Sequence, residues 1–376
     1  MPLPLILAAC ALSAYEFFSL IAPLELSLTY KLASAAALLL VAFQGAILQK
    51  IGGGMFFAPE LPQAVLFVVS WLYNTFFLLL FMLAAKDIAW LLWKFLAHGR
   101  PFPRTAASIA ILSAALLISL YGTWNAVRVP NVRTEEVVLD RLPRQLDGMN
   151  VVLLADLHIS ALNRAPLIEA IVQKTNALSP DVILLNGDMV DGTVANREAD
   201  VEPLRKLRAG RGVYGSTGNH EYYSGYGEWA DKFRELGIKM LDNAHKAISA
   251  DGGQIVIAGV VDQMGARFGS GGPNVTLALN GSPKDAPVVL MAHRPEAARE
   301  NAERGVDLQL SGHTHGGMVT GFDRFIARFN SGYVRGWYRV GGMKLYVSPG
   351  TLLWNGFALR LGVPSEITQF ILRSGK

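Results

Sequence analysis

The stretch NVVLLADLH, residues 150–158, carries an unbroken apolar run from Val151 to Ala155 and ends on two groups able to bind a metal, Asp156 and His158. An apolar run this short, bounded by polar residues, reads as a strand buried on both faces. Alternate residues of an extended segment point to one side, so Asp156 and His158 can face the same partner. Alone the pattern is weak.

The pattern recurs downstream. Val182 to Asn186 (VILLN) is followed by Gly187-Asp188, where the glycine lets the backbone turn sharply and aim the carboxylate. Val213 to Thr217 precedes Gly218-Asn219-His220-Glu221; Val288 to Met291 leads to His293; Leu308 to Leu310 leads to Gly312-His313-Thr314-His315-Gly316-Gly317. Ile255 to Val261 reads as a further strand, and Pro166 to Leu178 and Glu228 to Leu236 have the period of amphipathic helices. Strands alternating with helices predict an α/β domain with a largely buried sheet. The carboxyl ends of such strands form the ligand crevice, so these polar groups are expected to converge there.

A single histidine at a strand end is as often a solvated or capping residue as a ligand. Here five of the seven histidines in the chain, with two aspartates and an asparagine, all follow apolar strands. Eight such groups in five motifs favour a metal site over a scatter of surface residues. The only cysteine, Cys10, lies in an apolar run, so the ligands must be His, Asp, Asn or Glu. His98 and His245 fall outside the motifs and read as surface residues.

Upstream the texture changes. Leu5 to Leu24, Leu28 to Leu48, Ala64 to Ala85 and Ala106 to Val127 are apolar runs, each near the ~20 residues that cross a bilayer. We therefore expect residues 1–127 to form an anchor of about four transmembrane helices and residues 128–376 a soluble domain. The first run reads as an anchor and not a cleaved signal, because no basic residue precedes it. Lys86, Lys94, Arg100 and Arg104 lie between the third and fourth runs; with that loop in the cytoplasm, the soluble domain faces outward, although Arg128 and Arg133 pull the other way. Glu16, an ionisable residue within a span, is a functional candidate or a helix-to-helix hydrogen-bonding group. The net charge of +4 is spread along the chain, which argues against a nucleic-acid partner.

Asp156-Leu157-His158, Gly187-Asp188, Gly218-Asn219-His220-Glu221, His293 and Gly312-His313-Thr314-His315 together resemble the five signature blocks of the calcineurin-like metallophosphoesterases, most of all a bacterial membrane-associated subgroup whose last block continues as Gly-Gly. The resemblance covers roughly Val132 to Lys376 and implies an α/β/β/α sandwich, with a bacterial inner membrane as the expected setting. It implies that Asp156, His158 and His315 hold one divalent metal, Asn219, His293 and His313 a second, and that Asp188 bridges them. An all-nitrogen and oxygen set suits Mn, Fe or Zn. It further implies hydrolysis of a phosphate ester by a metal-bridging hydroxide, with His220 as general acid oriented by Glu221. The substrate expected is a phosphorylated small molecule, with a phosphodiester or pyrophosphate favoured. A membrane lipid environment makes a lipid-linked nucleotide pyrophosphate the alternative substrate. A non-catalytic, metal-stabilised binding or scaffold domain is the competing class, against which stands the fact that every ligand position is filled. Arg164, Arg294, Tyr333, Arg335 and Trp337 are candidate contacts to phosphate or leaving group.

Overall fold

The structure is a computed structural model that describes residues 3–55, 58–96, 101–250 and 252–375. The chain divides into two compact units, one of Met1–Asn125 with Asn355–Leu359, the other of Ala126–Trp354 with Arg360–Lys376. The five residues Asn355–Leu359, expected within the soluble domain, thus cluster with the helices: Asn74 donates to the Ala358 carbonyl at 2.8 Å, and the Phe77 and Phe357 rings meet edge to face at 4.9 Å.

In the first unit, helices α1 (Leu3–Glu16), α2 (Leu28–Ala42), α3 (Gln44–Gly52), α4 (Gln63–Leu96) and α5 (Arg104–Ala126) follow in order, with a minute hairpin of β1 (Gly54–Met55) and β2 (Ala58–Pro59) after α3. Among the described residues, three helical segments, Leu3–Ile21, Gln63–Leu96 and Arg104–Ala126, are long and apolar enough to cross a membrane. The second expected span differs: it breaks into α2 and α3, bent by 69°, so it counts as a fourth crossing only if the bent pair is one span. The backbone leaves helical geometry at Phe43 (φ −98°, ψ 5°), just before Gln44 and Gly45. Lys86, counted above as a loop residue, is instead buried within α4 and donates to the Ser19 carbonyl and to Ser108 Oγ at 3.3 Å. Glu16 is fully buried with neither carboxylate oxygen hydrogen-bonded, and the helix continues past it as a π-helical turn, Phe17–Ile21. His98 lies outside the described residues.

The second unit is a sandwich of two mixed six-stranded sheets. In one, the order is β3 (Asn131–Leu139), β14 (Glu366–Ser374), β4 (Asn150–Leu154), β5 (Val182–Asn186), β6 (Val213–Ser216) and β7 (Lys239–Met240). In the other, it is β12 (Gly336–Val340), β13 (Met343–Val347), β11 (Leu308–Ser311), β10 (Val288–Met291), β9 (Gly253–Gly259) and β8 (Ala244–Ala250). Strands β4 to β7 are mutually parallel, as are β13, β11, β10 and β9, which places their carboxyl ends along one edge of each sheet.

Period-two alternation explains why the apolar runs are continuous. Val151, Leu153, Val182 and Leu184 meet Ile257, Val289, Met291 and Leu310 in the core between the sheets. Their neighbours Val152, Leu154, Ile183 and Leu185 face outward into a second core with Ile168, Ile171, Trp229 and Phe233. Those last four lie on helices α6 (Ala165–Asn176) and α9 (Tyr226–Glu235), separated by α7 (Val194–Val201) and α8 (Asn219–Tyr223). A third core covers the opposite sheet through Val256, Val288, Leu290 and Leu345. With every strand side chain in these rows removed from water, each contributes roughly 1.5–3 kcal/mol. The expected α/β/β/α layering is what is found.

Candidate metal centre

All the motif residues come from the loops that leave the carboxyl ends of β4, β5, β6, β10 and β11, and they converge. Asp156, His158 and His315 form one group and Asp188, His293 and His313 another, each with ligand-capable atoms within 4.8 Å of one another. Asp188 stands between them: its Oδ2 is 3.1 Å from His293 Nε2, 3.8 Å from His158 Nε2 and 3.9 Å from His220 Nε2. Asn219 stands at the start of α8, 5% exposed, and its Oδ1 accepts from Arg294 Nη2 at 3.0 Å.

The glycines of the motifs are there to let the backbones close in. A Cβ at Gly218 would collide with the Asp188 carboxylate, one at Gly312 with that of Asp156, and one at Gly187 would lie 2.5 Å from His293 Nδ1. Closure also costs strain. Asp156, His158, Asp188, His313 and His315 all take left-handed backbone angles, with φ of 56°, 41°, 50°, 67° and 49°. Each such residue costs on the order of 1–3 kcal/mol, which packing must offset. Asn186 stitches the two sheets at this edge: its amide donates to the Leu310 carbonyl at 2.7 Å, and its own carbonyl lies 3.0 Å from His293 Nδ1. That bond leaves His293 Nε2 turned to the cage.

Whether the cage fits a metal can be judged from its polar atoms. His158 Nε2 and His315 Nδ1 are buried and make no hydrogen bond, and His293 Nε2 faces the Asp188 carboxylate at 3.1 Å. Buried nitrogens without partners are costly, and these imidazoles in one cage beside the fully buried Asp156 and Asp188 carboxylates form a donor set for cations. The electrostatics agree. Burial pushes Asp156 up to about 6, partly countered by His293. Burial acts on Asp188 too, yet His293 and His220 outweigh it and hold that carboxyl well below its usual range. Burial drives His313 and His315 well below the usual imidazole range, so both present neutral, lone-pair-bearing rings.

His220 has a partner that the sequence did not identify. Its Nδ1 meets Oδ1 of Asp191, whose other oxygen lies 3.1 Å from His158 Nδ1. Burial opposes the charge on His220, but Asp188 and then Asp191 outweigh it and raise the imidazole to about 9. Glu221, expected to orient His220, spends its oxygens elsewhere, accepting from the backbone N–H groups of Asp188 (3.0 Å), Met189 (2.6 Å), Val190 (3.3 Å) and Gly218 (2.7 Å). It is a loop clamp and half of a capping arrangement for α8. The available signal was Gly187-Asp188-Met189-Val190-Asp191-Gly192, a second carboxylate in the loop after β5.

Two more residues at the site lie outside the strand-end motifs. Trp354 lays its ring 4.8 Å from that of His315. Arg360, 1% exposed, donates to the carbonyls of Pro349 (2.7 Å), Leu352 (3.1 Å) and His315 (3.3 Å), and burial lowers its pKa to about 10. Of the candidate phosphate contacts, only Arg294 reaches the cage. Arg164 bonds Asp200 at 3.4 Å, Arg335 pairs with Asp323 at 3.5 Å, Trp337 donates to Glu135 at 3.1 Å and Tyr333 packs on Tyr338. His245 is bound to the Ala278 carbonyl at 2.7 Å.

A sandwich of two mixed sheets with such a cage at their shared edge is that of the metallophosphoesterases. The chain belongs to the calcineurin-like phosphoesterases: the family model matches residues 149–317. It is 32% identical over 316 residues, 80% of this chain and 72% of the relative, to a transmembrane protein with metallophosphoesterase domain of Danio rerio. A protein of the same description from Bos taurus is 35% identical over 279 residues, 71% of this chain and 62% of that one. A solved dimetal phosphatase of Danio rerio aligns over 55% of this chain and 88% of its own at 13% identity, with a TM-score of 0.34.

Proposed function

We propose that this chain hydrolyses a phosphate ester at a pair of divalent cations, held at a membrane by its amino-terminal helices. The observation that carries this reading is the cage itself: the buried rings of His158, His293 and His315 around two buried carboxylates, with His158 Nε2 and His315 Nδ1 left without a hydrogen-bond partner. In the assignment we propose, Asp156, His158 and His315 hold one cation, Asn219, His293 and His313 the other, and Asp188 contacts both. Bound there, Mn, Fe or Zn would neutralise phosphate oxygens and acidify water near neutral pH.

The chain's own groups do the rest. Asp191 orients His220 and stabilises its charged form, so the ring carries a proton at neutral pH and can deliver it from Nε2 to a leaving alkoxide. Glu221 fixes the backbone of the Asp188 loop, and Arg360 ties the His315 carbonyl to the loop from Pro349 to Leu352. A phosphodiester or diesterified pyrophosphate, with one negative charge on each phosphorus, is the substrate we favour. A lipid-linked nucleotide pyrophosphate is the membrane-borne version of that substrate.

The test is hydrolysis of an aryl phosphodiester by the full chain with added Mn, set against Asp188→Asn and His220→Ala. We expect turnover that needs the metal and falls at least about 100-fold in each variant. If the metal-loaded wild type is inert towards monoesters, diesters and pyrophosphates alike, the domain is a metal-stabilised binding module instead.

A further inference from the structure

Arg294 follows His293, and its guanidinium is held on three sides. Nε donates to Asp262 Oδ2 at 2.7 Å, Nη2 donates to Asn219 Oδ1 at 3.0 Å, and Nη1 lies 3.0 Å from His313 Nε2. The first contact is a rigid anchor. Asp262 is buried, its Oδ1 accepts from the Met264 N–H at 2.8 Å, and its own N–H donates to Thr217 Oγ1 at 2.9 Å. The other two contacts are different in kind, since Asn219 and His313 are residues that we assign to a cation. A guanidinium and a divalent ion compete for the same lone pairs.

Arg294, Asp262 and His293 also line a cavity of about 530 Å³ beside the cage, a size that suits the organic part of a small ligand. Its other walls mix Asn274, Thr276, Glu300 and Arg304, side chains that hydrogen-bond, with apolar Val260 and Pro273. Such a mixed lining, with polar groups an acyl chain would leave unpaired, fits a nucleoside.

We infer that Arg294, anchored by Asp262, binds a phosphoryl oxygen of the substrate at the junction of cage and cavity, and that the cavity takes the polar organic group of the ester. The inference rests on the phosphoesterase reading and adds the residue that holds the phosphate and the class of group beside it. When cations take Asn219 and His313, two arms of the guanidinium come free while Nε stays on Asp262. The planar fork is then presented to an anion in a fixed orientation, which a lysine cannot reproduce.

The experiment uses the full chain in detergent. Calorimetry measures Mn binding and, on the Mn-loaded protein, inorganic phosphate binding for wild type, Arg294→Ala and Arg294→Lys; kinetics give kcat and KM on a nucleoside-containing phosphodiester. Arg294→Ala should weaken phosphate binding and raise KM by about 10- to 100-fold, the range for loss of a charged hydrogen-bonded pair, with kcat changing less. Mn should bind as tightly as before or more tightly, and Arg294→Lys should recover only part of the loss. Ala297→Trp, which narrows the cavity, should raise KM for the nucleoside diester more than it weakens inorganic phosphate. Unchanged phosphate affinity in Arg294→Ala overturns the inference, and so does loss of Mn, which would make the arginine a prop of the cage. Equal effects of Ala297→Trp on both probes overturn the cavity assignment. Phosphate binding is read without turnover, so an inert wild type would sink the hydrolase reading while Arg294 is still decided.

Discussion

Asp191 joins His220 to His158: one fully buried carboxylate meets Nδ1 of both rings and leaves both Nε2 atoms facing the cage. Burial works against its charge, but His220 and then His158 outweigh it and hold its carboxyl down at about 2, so it is ionised throughout the working range. Asp191→Asn should therefore damage two things at once. We expect kcat to fall by about 100- to 10,000-fold from loss of an oriented, cationic acid, and Mn affinity to fall by about 10- to 100-fold because His158 loses its support. Kinetics at saturating Mn, beside a calorimetric Mn titration, separate the two; a variant that loses neither removes Asp191 from the mechanism.

Glu221 makes the contrasting case. Its four backbone acceptor contacts predict that Glu221→Gln, which keeps only one acceptor oxygen, destabilises the fold by about 1–3 kcal/mol. Below its melting temperature the variant should retain most of its kcat. Differential scanning fluorimetry and a single assay check both, and a stable Glu221→Gln protein with lost kcat would return the orienting role to this residue.

Gly218→Ala tests the close approach of the loops. Its Cβ has no room beside the Asp188 carboxylate or the Asp188 backbone nitrogen at 2.5 Å, so the loops after β5 and β6 must part. We expect Mn content after dialysis, measured by elemental analysis, to drop below one ion per chain while the spectrum of the folded sheets persists. Full metal content would mean that the cage tolerates a displacement we consider too large for it.

What was legible in the sequence follows from burial. Strands β5 and β10 emerge with their observed bounds because both faces are buried and every position but Asn186 is apolar. By contrast β14 reads Glu-Ile-Thr-Gln-Phe-Ile-Leu-Arg-Ser, and its pairing with β3, Glu366 against Asn131 through Ser374 against Leu139, is a contact no local pattern encodes. The same division runs through the site. Asp156, Asp188 and His313 announce themselves by following apolar strands, whereas the choice between Asp191 and Glu221 as partner of His220 is made only in three dimensions. Arg360 sits in a loop with no periodic pattern, and its value lies in the carbonyls that the fold aims at it.

The imidazoles also predict how the protein should respond to pH once its metal is chelated. In the metal-free cage, burial opposes the charge on His293, but Asp188 outweighs it and raises the ring to about 10, while His220 is raised to about 9. A base whose folded pKa lies above its unfolded value of ~6.5 adds stability that is complete below that value and is lost as pH climbs through the folded one. His313 and His315 shift the other way, but above about pH 7.5 they are neutral in both states and drop out of the balance. Between pH 7.5 and 10 the chelated protein should therefore lose thermal stability, with a fall in melting temperature on the order of 5 °C. With saturating Mn the cations take over the charge balance of the carboxylates, so the same pH range should leave the melting temperature nearly flat. Scanning fluorimetry with and without chelator checks this, and a chelated protein that grows more stable towards pH 10 would show that His220 and His293 are not paired with Asp188 and Asp191 in solution.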